Sequence, residues 1–145
     1  MFMSKLRRLG VNTMSTNVDL EASSINPAWV IEGSPQTRWK LLFSTDDGIA
    51  QTGIWDCTAG KFHWHYHLDE TIHVLEGGMT ITFRGTVRDV HAGDMIFFPA
   101  GSKAIWNVEH YVRKIAWLRQ PVPYPANLAV RIFNRIRFRN YRGQL

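Results

Sequence analysis

The chain has 145 residues and a mass of 16.7 kDa, which suffices for one folded domain with a sizeable core. With 45% hydrophobic and 20% charged residues, the composition excludes a disordered chain. No run approaches the ~18 apolar residues that a membrane span needs. The single cysteine, Cys57, cannot form an internal disulfide, and the N-terminus has no pattern of a secretory signal. We therefore predict a cytoplasmic protein.

The net charge of +5 is concentrated at the two ends of the chain. Residues 1–15 carry three basic residues and residues 126–145 carry five, and neither segment has an acidic residue. Residues 16–125 carry nine basic and twelve acidic residues, a net charge of −3. This distribution argues against a basic groove on the folded body, so we expect neither nucleic acid nor a membrane as a partner.

Short strand-like runs separated by Gly, Pro and Asp fill the middle of the chain. They are residues 29–32, 38–43, 51–57, 62–66, 70–75, 79–84, 87–90, 95–98, 104–108 and 112–118. Ten short strands with turn signals between them predict an all-β fold, either an antiparallel sandwich or a barrel.

Both ends of the chain fall outside this pattern, which predicts three parts. Residues 1–25 are polar and mixed, and we expect a disordered N-terminal extension. The barrel itself covers 26–120, and 121–145 form a proline-rich connection and a basic C-terminal segment. Within that segment 126–141 can be a helix with an apolar side, although alternation at 135–139 fits a strand as well. We expect the apolar side to dock on the barrel or on a second subunit.

The densest group of polar residues lies in one predicted strand. Its alternating residues are His63, Trp64, His65, Tyr66 and His67. The three histidines share one face of the strand and the two aromatic residues share the other. Two imidazoles at i and i+2 and a carboxylate on the next strand, Glu70, can converge on one divalent ion. This donor set suits Zn, Mn, Fe or Ni.

At these residues the sequence resembles the cupin superfamily. The spacing His63-x-His65-x4-Glu70-x6-Gly77 fits the first cupin motif. Gly93-x5-Pro99-x-Gly101 fits the start of the second motif. Ala104, however, stands where the second motif has its histidine, the fourth metal ligand.

The chain is more closely similar to the small single-domain RmlC-like cupins grouped with the (S)-ureidoglycine aminohydrolase cupin-domain family. Their pattern is present in Gly53-Ile-Trp55-Asp-Cys57, in Val74-Leu75-Glu76-Gly77 and in Ala92-Gly93-Asp94. The resemblance implies a double-stranded β-helix, the cupin jelly-roll barrel, here with a short basic C-terminal helix. It also implies a small polar metabolite as ligand, such as a ureide, an amino acid or an organic acid.

The strand register leaves two functional alternatives open. If His63 and His65 point inward beside Glu70, they form a metal site, and the protein is a metal-dependent enzyme of hydrolase or lyase type. If Trp64 and Tyr66 point inward, the histidines lie outside, and the protein is a non-catalytic binding or interaction module without metal. We favour the first register because its spacing reproduces the metal triad of the family. The predicted ligand pocket is lined by Trp64, Tyr66, Met95 and Trp106.

The assembly that we predict is a homodimer. Residues 29–31 and 40–43 are apolar runs suited to covering the edge of a sheet. Pairing of two barrels through such edges would give a symmetric contact.

Overall fold

The structure, a computed structural model, describes residues 10–139 of the chain. Its strands are β1 (Glu21–Ser23), β2 (Val30–Gly33), β3 (Thr37–Ser44), β4 (Ala50–His65), β5 (Asp69–Phe83), β6 (Thr86–His91), β7 (Met95–Phe98) and β8 (Lys103–Arg119). One α-helix, α1, spans Ala126–Arg139, and a short 3-10 helix spans Pro27–Trp29. The predicted all-β barrel with a short C-terminal helix is confirmed.

Three long strands, β4, β5 and β8, organise the sheet. The strand order is β1-β3-β4-β8-β5-β6, with β2 beside β4 and β7 beside β5, and the pairs are antiparallel. The register shifts between Thr58 and Gly60 where β4 pairs β8, and between Gly77 and Thr80 where β5 pairs β8. At these irregularities the long strands bend, so the same strands contribute to two halves of the sheet that enclose one core.

The bends explain why the structure has fewer strands than the sequence predicts. The predicted pairs 51–57 and 62–66, 70–75 and 79–84, and 104–108 and 112–118 are each one continuous strand. Gly60 and Gly77 are turn signals in the sequence, but here they lie within β4 and β5. Gly77 has φ +69°, and a Cβ on it would lie 1.9 Å from the carbonyl oxygen of Tyr111 on β8. Glycine therefore allows β5 to continue where the two strands approach most closely.

Residues 16–25, which precede the predicted barrel, contact its strands in the structure. The Arg113 guanidinium on β8 donates hydrogen bonds to the carbonyl oxygens of Thr16 and Val18, at 3.0 and 2.9 Å. β1 then pairs with β3, and Ile25 is buried in the core. Residues 16–25, for which we predict disorder, therefore lie against the barrel in the structure, because a distant strand contacts a segment that has no apolar period of its own. Residues 1–9 lie outside the described part.

The C-terminal segment is a helix and not a strand. The predicted helix 126–141 is described to residue 139, and residues 140–141 lie outside the described part. The apolar side chains Leu128, Ile132, Phe133 and Ile136 are exposed, and α1 makes no broad contact with any described strand. The predicted docking on the chain's own barrel is therefore not observed. Within residues 10–139, no helix combines the length and the hydropathy that crossing a bilayer requires.

Candidate functional site in the barrel interior

The structure adopts the register in which the aromatic residues of β4 face inward. Phe62 and Tyr66 are buried, and Trp64 packs against the same core. His63 is exposed, and the His65 ring stacks on Trp29 at the barrel surface, with 4.6 Å between ring centroids. Burial of large aromatic rings stabilises the fold more than burial of imidazoles, and a one-residue slip would exchange the two faces.

The predicted metal ligands are consequently not brought together. Glu70 is buried inside the barrel, whereas His63 and His65 lie on the other face of β4. Among residues 10–139, no group of three or more His, Cys, Asp and Glu side chains could hold a metal ion. The described residues therefore adopt the other of the two registers, in which His63 and His65 do not meet Glu70.

Glu70 instead forms a buried ion pair with Lys114 of β8. The Lys114 Nζ donates a hydrogen bond to Glu70 Oε1, and the two side chains are only 4% and 8% exposed. The same ammonium group lies over the rings of Trp55 and Trp106, 4.9 and 5.1 Å from their centroids. The aromatic faces and the carboxylate together compensate the cost of removing this charge from water.

A hydrogen-bonded aromatic pair lies beside the ion pair. The Trp106 Nε1–H donates a hydrogen bond to the Tyr66 hydroxyl oxygen, with 2.8 Å between the nitrogen and the oxygen. The Tyr66 ring stacks on the Phe98 ring, with 4.2 Å between the ring centroids. Burial, and to a lesser extent the nearby Glu70 carboxylate, raises the pKa of Tyr66 well above its ordinary value of 10. The hydroxyl is therefore neutral at physiological pH, and because it accepts from Trp106, its own proton can be donated to a bound molecule.

Cys57 lies on β4 within the same core and is fully buried. Burial, with a smaller contribution from the Asp56 carboxylate, raises the pKa of its thiol to about 12, and Lys114 acts in the opposite direction. A thiol that remains protonated at neutral pH is a poor nucleophile, so Cys57 acts as a small apolar side chain.

Three of the four predicted pocket residues do face the interior. Trp64, Tyr66 and Trp106 belong to or pack against the core, whereas Met95 is 63% exposed. On β7 the alternate residues Ile96 and Phe98 face inward, so Met95 points to the outer face. Met95 is therefore not part of the pocket wall.

A cavity of about 260 Å³ approaches this site from the side of β5, β6 and β7. Its lining includes the core residues Ile81 and Phe98, and it also includes Arg88 and Ser102. Because Phe98 stacks on Tyr66, the cavity is one side chain away from the Tyr66 ring. A cationic guanidinium at this cavity favours an anionic ligand.

Sequence reasoning missed the Lys114–Glu70 pair. The signal that could have revealed it is the alternation Val112-Arg113-Lys114-Ile115-Ala116, in which Lys114 shares a face with two small apolar residues. A lysine on the apolar face of a strand needs a buried partner.

The comparisons with known proteins agree with this barrel. Residues 44–116 match the family model described as the EutQ-like cupin domain, and the chain belongs to this family of cupins. A curated relative, "Acetate kinase EutQ" of Clostridioides difficile (strain 630), is 32% identical over 77 residues, covering 53% of this chain. The chain spans 46% of that relative, which is about half its length.

Solved structures show the same fold. A protein of unknown function of the DUF861 family from Pseudomonas syringae pv. tomato is 25% identical, with a TM-score of 0.70 over 77% of this chain and 48% of that one. A putative ethanolamine utilization protein Q from Salmonella typhimurium is 26% identical, with a TM-score of 0.53 over 58% of this chain and 69% of that one.

Proposed function

We propose that this cupin binds a small polar metabolite in its interior, without a metal held by His63, His65 and Glu70. The observation that carries the proposal is the buried Lys114–Glu70 pair beside the neutral Tyr66 hydroxyl. Replacing a buried ion pair by well-packed apolar residues is often neutral or stabilising. A charged pair inside a small barrel is therefore better explained by recognition of a ligand than by stability alone.

The polar groups of the site define the class of ligand. The Lys114 ammonium and the Tyr66 hydroxyl can donate hydrogen bonds to a carboxylate or carbonyl oxygen, and the Glu70 carboxylate can accept from N–H groups. A ureide, an amino acid or an organic acid combines such groups. This is also the class implied by the resemblance to the ureidoglycine aminohydrolase group.

The name of the C. difficile relative does not extend this proposal to a kinase. The chain spans 46% of that protein, so an activity of the whole relative cannot be assigned to this part. Acetate is nevertheless a small carboxylate, and it belongs among the first compounds to test.

The alternative is a metal-dependent enzyme that uses Mn, Fe, Ni or Zn. It would need His63 and His65 on the same face as Glu70, which requires β4 to slip by one residue and to expose Trp64 and Tyr66. The arrangement of the described residues favours the metal-free binder.

The test combines elemental analysis of the metal content of the purified protein with calorimetric measurement of its affinity for small acids, amides and amines. A compound that raises the melting temperature of the purified protein is expected to bind at least tenfold more weakly to Glu70→Gln and to Tyr66→Phe. His65→Ala is the matched control on the other face of β4, and it should leave affinity unchanged. Stoichiometric metal that is lost in His65→Ala together with binding would overturn the proposal.

A further inference from the structure

Arg88 lies on the inner face of β6, beside buried apolar residues. In the pairing of β5 with β6, Arg88 lies opposite Ile81 and Val90 lies opposite Met79. Directly opposite residues point to the same face of a sheet, and Ile81, Met79 and Val90 are all buried in the core. Arg88 is two positions from Val90, so its Cβ points to the same face, although its long side chain remains exposed. The sheet therefore turns a cationic side chain towards the open side of the barrel.

The Arg88 guanidinium has no counter-ion in the described part of the chain. Within residues 10–139 it forms neither an ion pair nor a side-chain hydrogen bond. Its neighbour Asp89 points to the outer face, where the carboxylate accepts a hydrogen bond from the Thr80 hydroxyl at 2.9 Å. Lys114, a second cation on the inner face, is by contrast paired with Glu70. Arg88 is therefore available to an anion from outside the described chain.

The cavity of about 260 Å³ beside β5, β6 and β7 joins this cation to apolar surface. Ile81 on its wall is fully buried and Phe98 is only 4% exposed, whereas Arg88 is exposed. Phe83, Ile96 and Pro99 add further apolar surface to the lining. The cavity therefore leads from a cationic mouth to an apolar floor.

The charges around the cavity favour an anion at this mouth. Of the described residues that line it, none is acidic. The guanidinium carbon of Arg84 lies 5.2 Å from the centroid of the Phe83 ring, which brings a second positive charge to the cavity wall. The Ser102 hydroxyl already donates a hydrogen bond to the Pro99 carbonyl oxygen at 2.6 Å, so the lining donor that remains for a ligand is the Arg88 guanidinium.

We infer that this cavity binds a small carboxylate with an apolar body. The carboxylate pairs with Arg88, and the hydrocarbon part lies against Ile81 and Phe98. A guanidinium presents two parallel N–H groups to a carboxylate, and such charge-assisted hydrogen bonds are stronger than neutral ones. At ~30 Å³ for each water-sized group, the cavity holds about nine non-hydrogen atoms. Hexanoate and benzoate are carboxylates of this size.

This site is separate from the polar groups that carry the proposed function. Lys114, Glu70 and Tyr66 do not line the cavity. The Phe98 ring lines it and also stacks on the Tyr66 ring, so Phe98 lies between the cavity and the Tyr66 hydroxyl. A ligand in the cavity therefore meets Arg88 without contacting the buried ion pair. The inference goes beyond the proposed function, and either can fail without the other.

The first experiment measures the affinity of the full chain for straight-chain carboxylates by titration calorimetry. From acetate to hexanoate we expect the affinity to rise about fourfold with each added CH₂ group. Decanoate, which exceeds the cavity, should bind no more tightly than hexanoate. Hexanamide has the same body without a charge, and inorganic phosphate is an anion without an apolar body, so each should bind at least tenfold more weakly. Absence of hexanoate binding, or equal affinity for hexanamide, would overturn the inference. An affinity that keeps rising to decanoate would also overturn it, because it indicates binding to exposed apolar surface.

The second experiment repeats the hexanoate titration with variants of the charged residue. Arg88→Gln should lower the affinity about tenfold or more, and Arg88→Lys, which keeps the charge, should lower it less. Arg131→Gln is the matched control, because it removes an equal charge from an exposed position on α1 outside the cavity. Circular dichroism and melting show whether each variant is folded. Equal affinity of Arg88→Gln and the wild type would overturn the inference.

The same titration separates this site from the proposed function. Glu70→Gln should leave the affinity for hexanoate unchanged, because Glu70 does not line the cavity. If the affinity instead falls in Glu70→Gln and Tyr66→Phe but not in Arg88→Gln, the carboxylate binds at the polar groups. That result would reject the inference and support the proposed function.

Discussion

Lys114 on β8 reaches Glu70 on β5 inside the barrel, and the indole rings of Trp55 and Trp106 lie against the lysine ammonium group. The charged pair is therefore surrounded by aromatic surface and by the hydroxyl of a neutral tyrosine. Each charge depends on the other, because an isolated ion at this depth would lose its hydration without compensation.

Removal of one member of this pair should destabilise the fold strongly. Lys114→Met leaves the Glu70 carboxylate buried and unpaired, and we expect a loss of about 3–5 kcal/mol in the free energy of unfolding, measured by urea denaturation. Lys40→Met, which breaks the exposed pair with Glu21, is the control and should change little. Adding Glu70→Leu to Lys114→Met should recover most of the loss. A double variant that shows the sum of two single losses would contradict the coupling.

The hydrogen bond between Trp106 and Tyr66 makes a smaller contribution. Tyr66→Phe keeps the ring that stacks on Phe98 but leaves the buried Trp106 Nε1–H without its acceptor. We expect the free energy of unfolding to fall by about 1–3 kcal/mol. Tyr124→Phe removes a hydroxyl from a residue that is 79% exposed, so it should have almost no effect. Equal stability of the two variants would argue against a buried hydrogen bond at Tyr66.

Substitution by alanine should affect stability differently at two glycines that have similar backbone angles. Gly77 (φ +69°) and Gly85 (φ +77°) both have left-handed backbones, which cost about 1–2 kcal/mol for a residue with a Cβ. At Gly77 the new Cβ would also collide with the Tyr111 carbonyl, whereas at Gly85 no atom lies within 4 Å. We expect Gly85→Ala to cost only the backbone strain, and Gly77→Ala to lower the melting temperature much further or to prevent folding. Similar melting of both variants would show that β5 and β8 separate easily at this position.

The Cys57 thiol should make stability depend on alkaline pH. In the unfolded chain it ionises near its ordinary pKa of 9, but in the folded chain burial raises the pKa to about 12. Between these two pKa values the folded chain binds more protons than the unfolded chain. The contribution of the thiol to the free energy of unfolding is therefore fully present below pH 9 and is lost as the pH rises towards 12. Cys57→Ala should reduce the slope of unfolding free energy against pH in this range. Thiol reagents should label Cys57 in urea and leave the folded chain unlabelled at pH 8.

The inward register of β4 shows where sequence reasoning reached its limit. The alternation of histidines with Trp64 and Tyr66 is compatible with either face inside, and the cupin spacing favoured the histidines. Tertiary packing decided the register, since Trp64 contacts Trp55 and Phe62 edge-on, and Tyr66 stacks on Phe98. Those partners come from other parts of the sequence, and local periodicity carries no information about them.

The barrel and its helix were predictable because their signals are local. Turn residues and short apolar runs defined the β class, and the prolines before residue 126 marked the start of the C-terminal segment. The order of residues 16–25 was not predictable, because it depends on Arg113, almost a hundred residues later in the chain.

The long pairing of β4 with β8 also has a consequence for biosynthesis. Their paired residues are 38 positions apart at His65 and Lys103, and 69 positions apart at Ala50 and Arg119. Non-local pairing of this kind slows folding, because the entropy of closing a long loop is lost before the contacts form. On the ribosome, β4 emerges well before its central neighbour is translated, and the barrel can close only after Arg119 has left the exit tunnel. During this interval β4 can pair with β2 and β3, but its edge towards β8 stays open. Chaperones that bind open, aromatic strand edges would act on the nascent chain then.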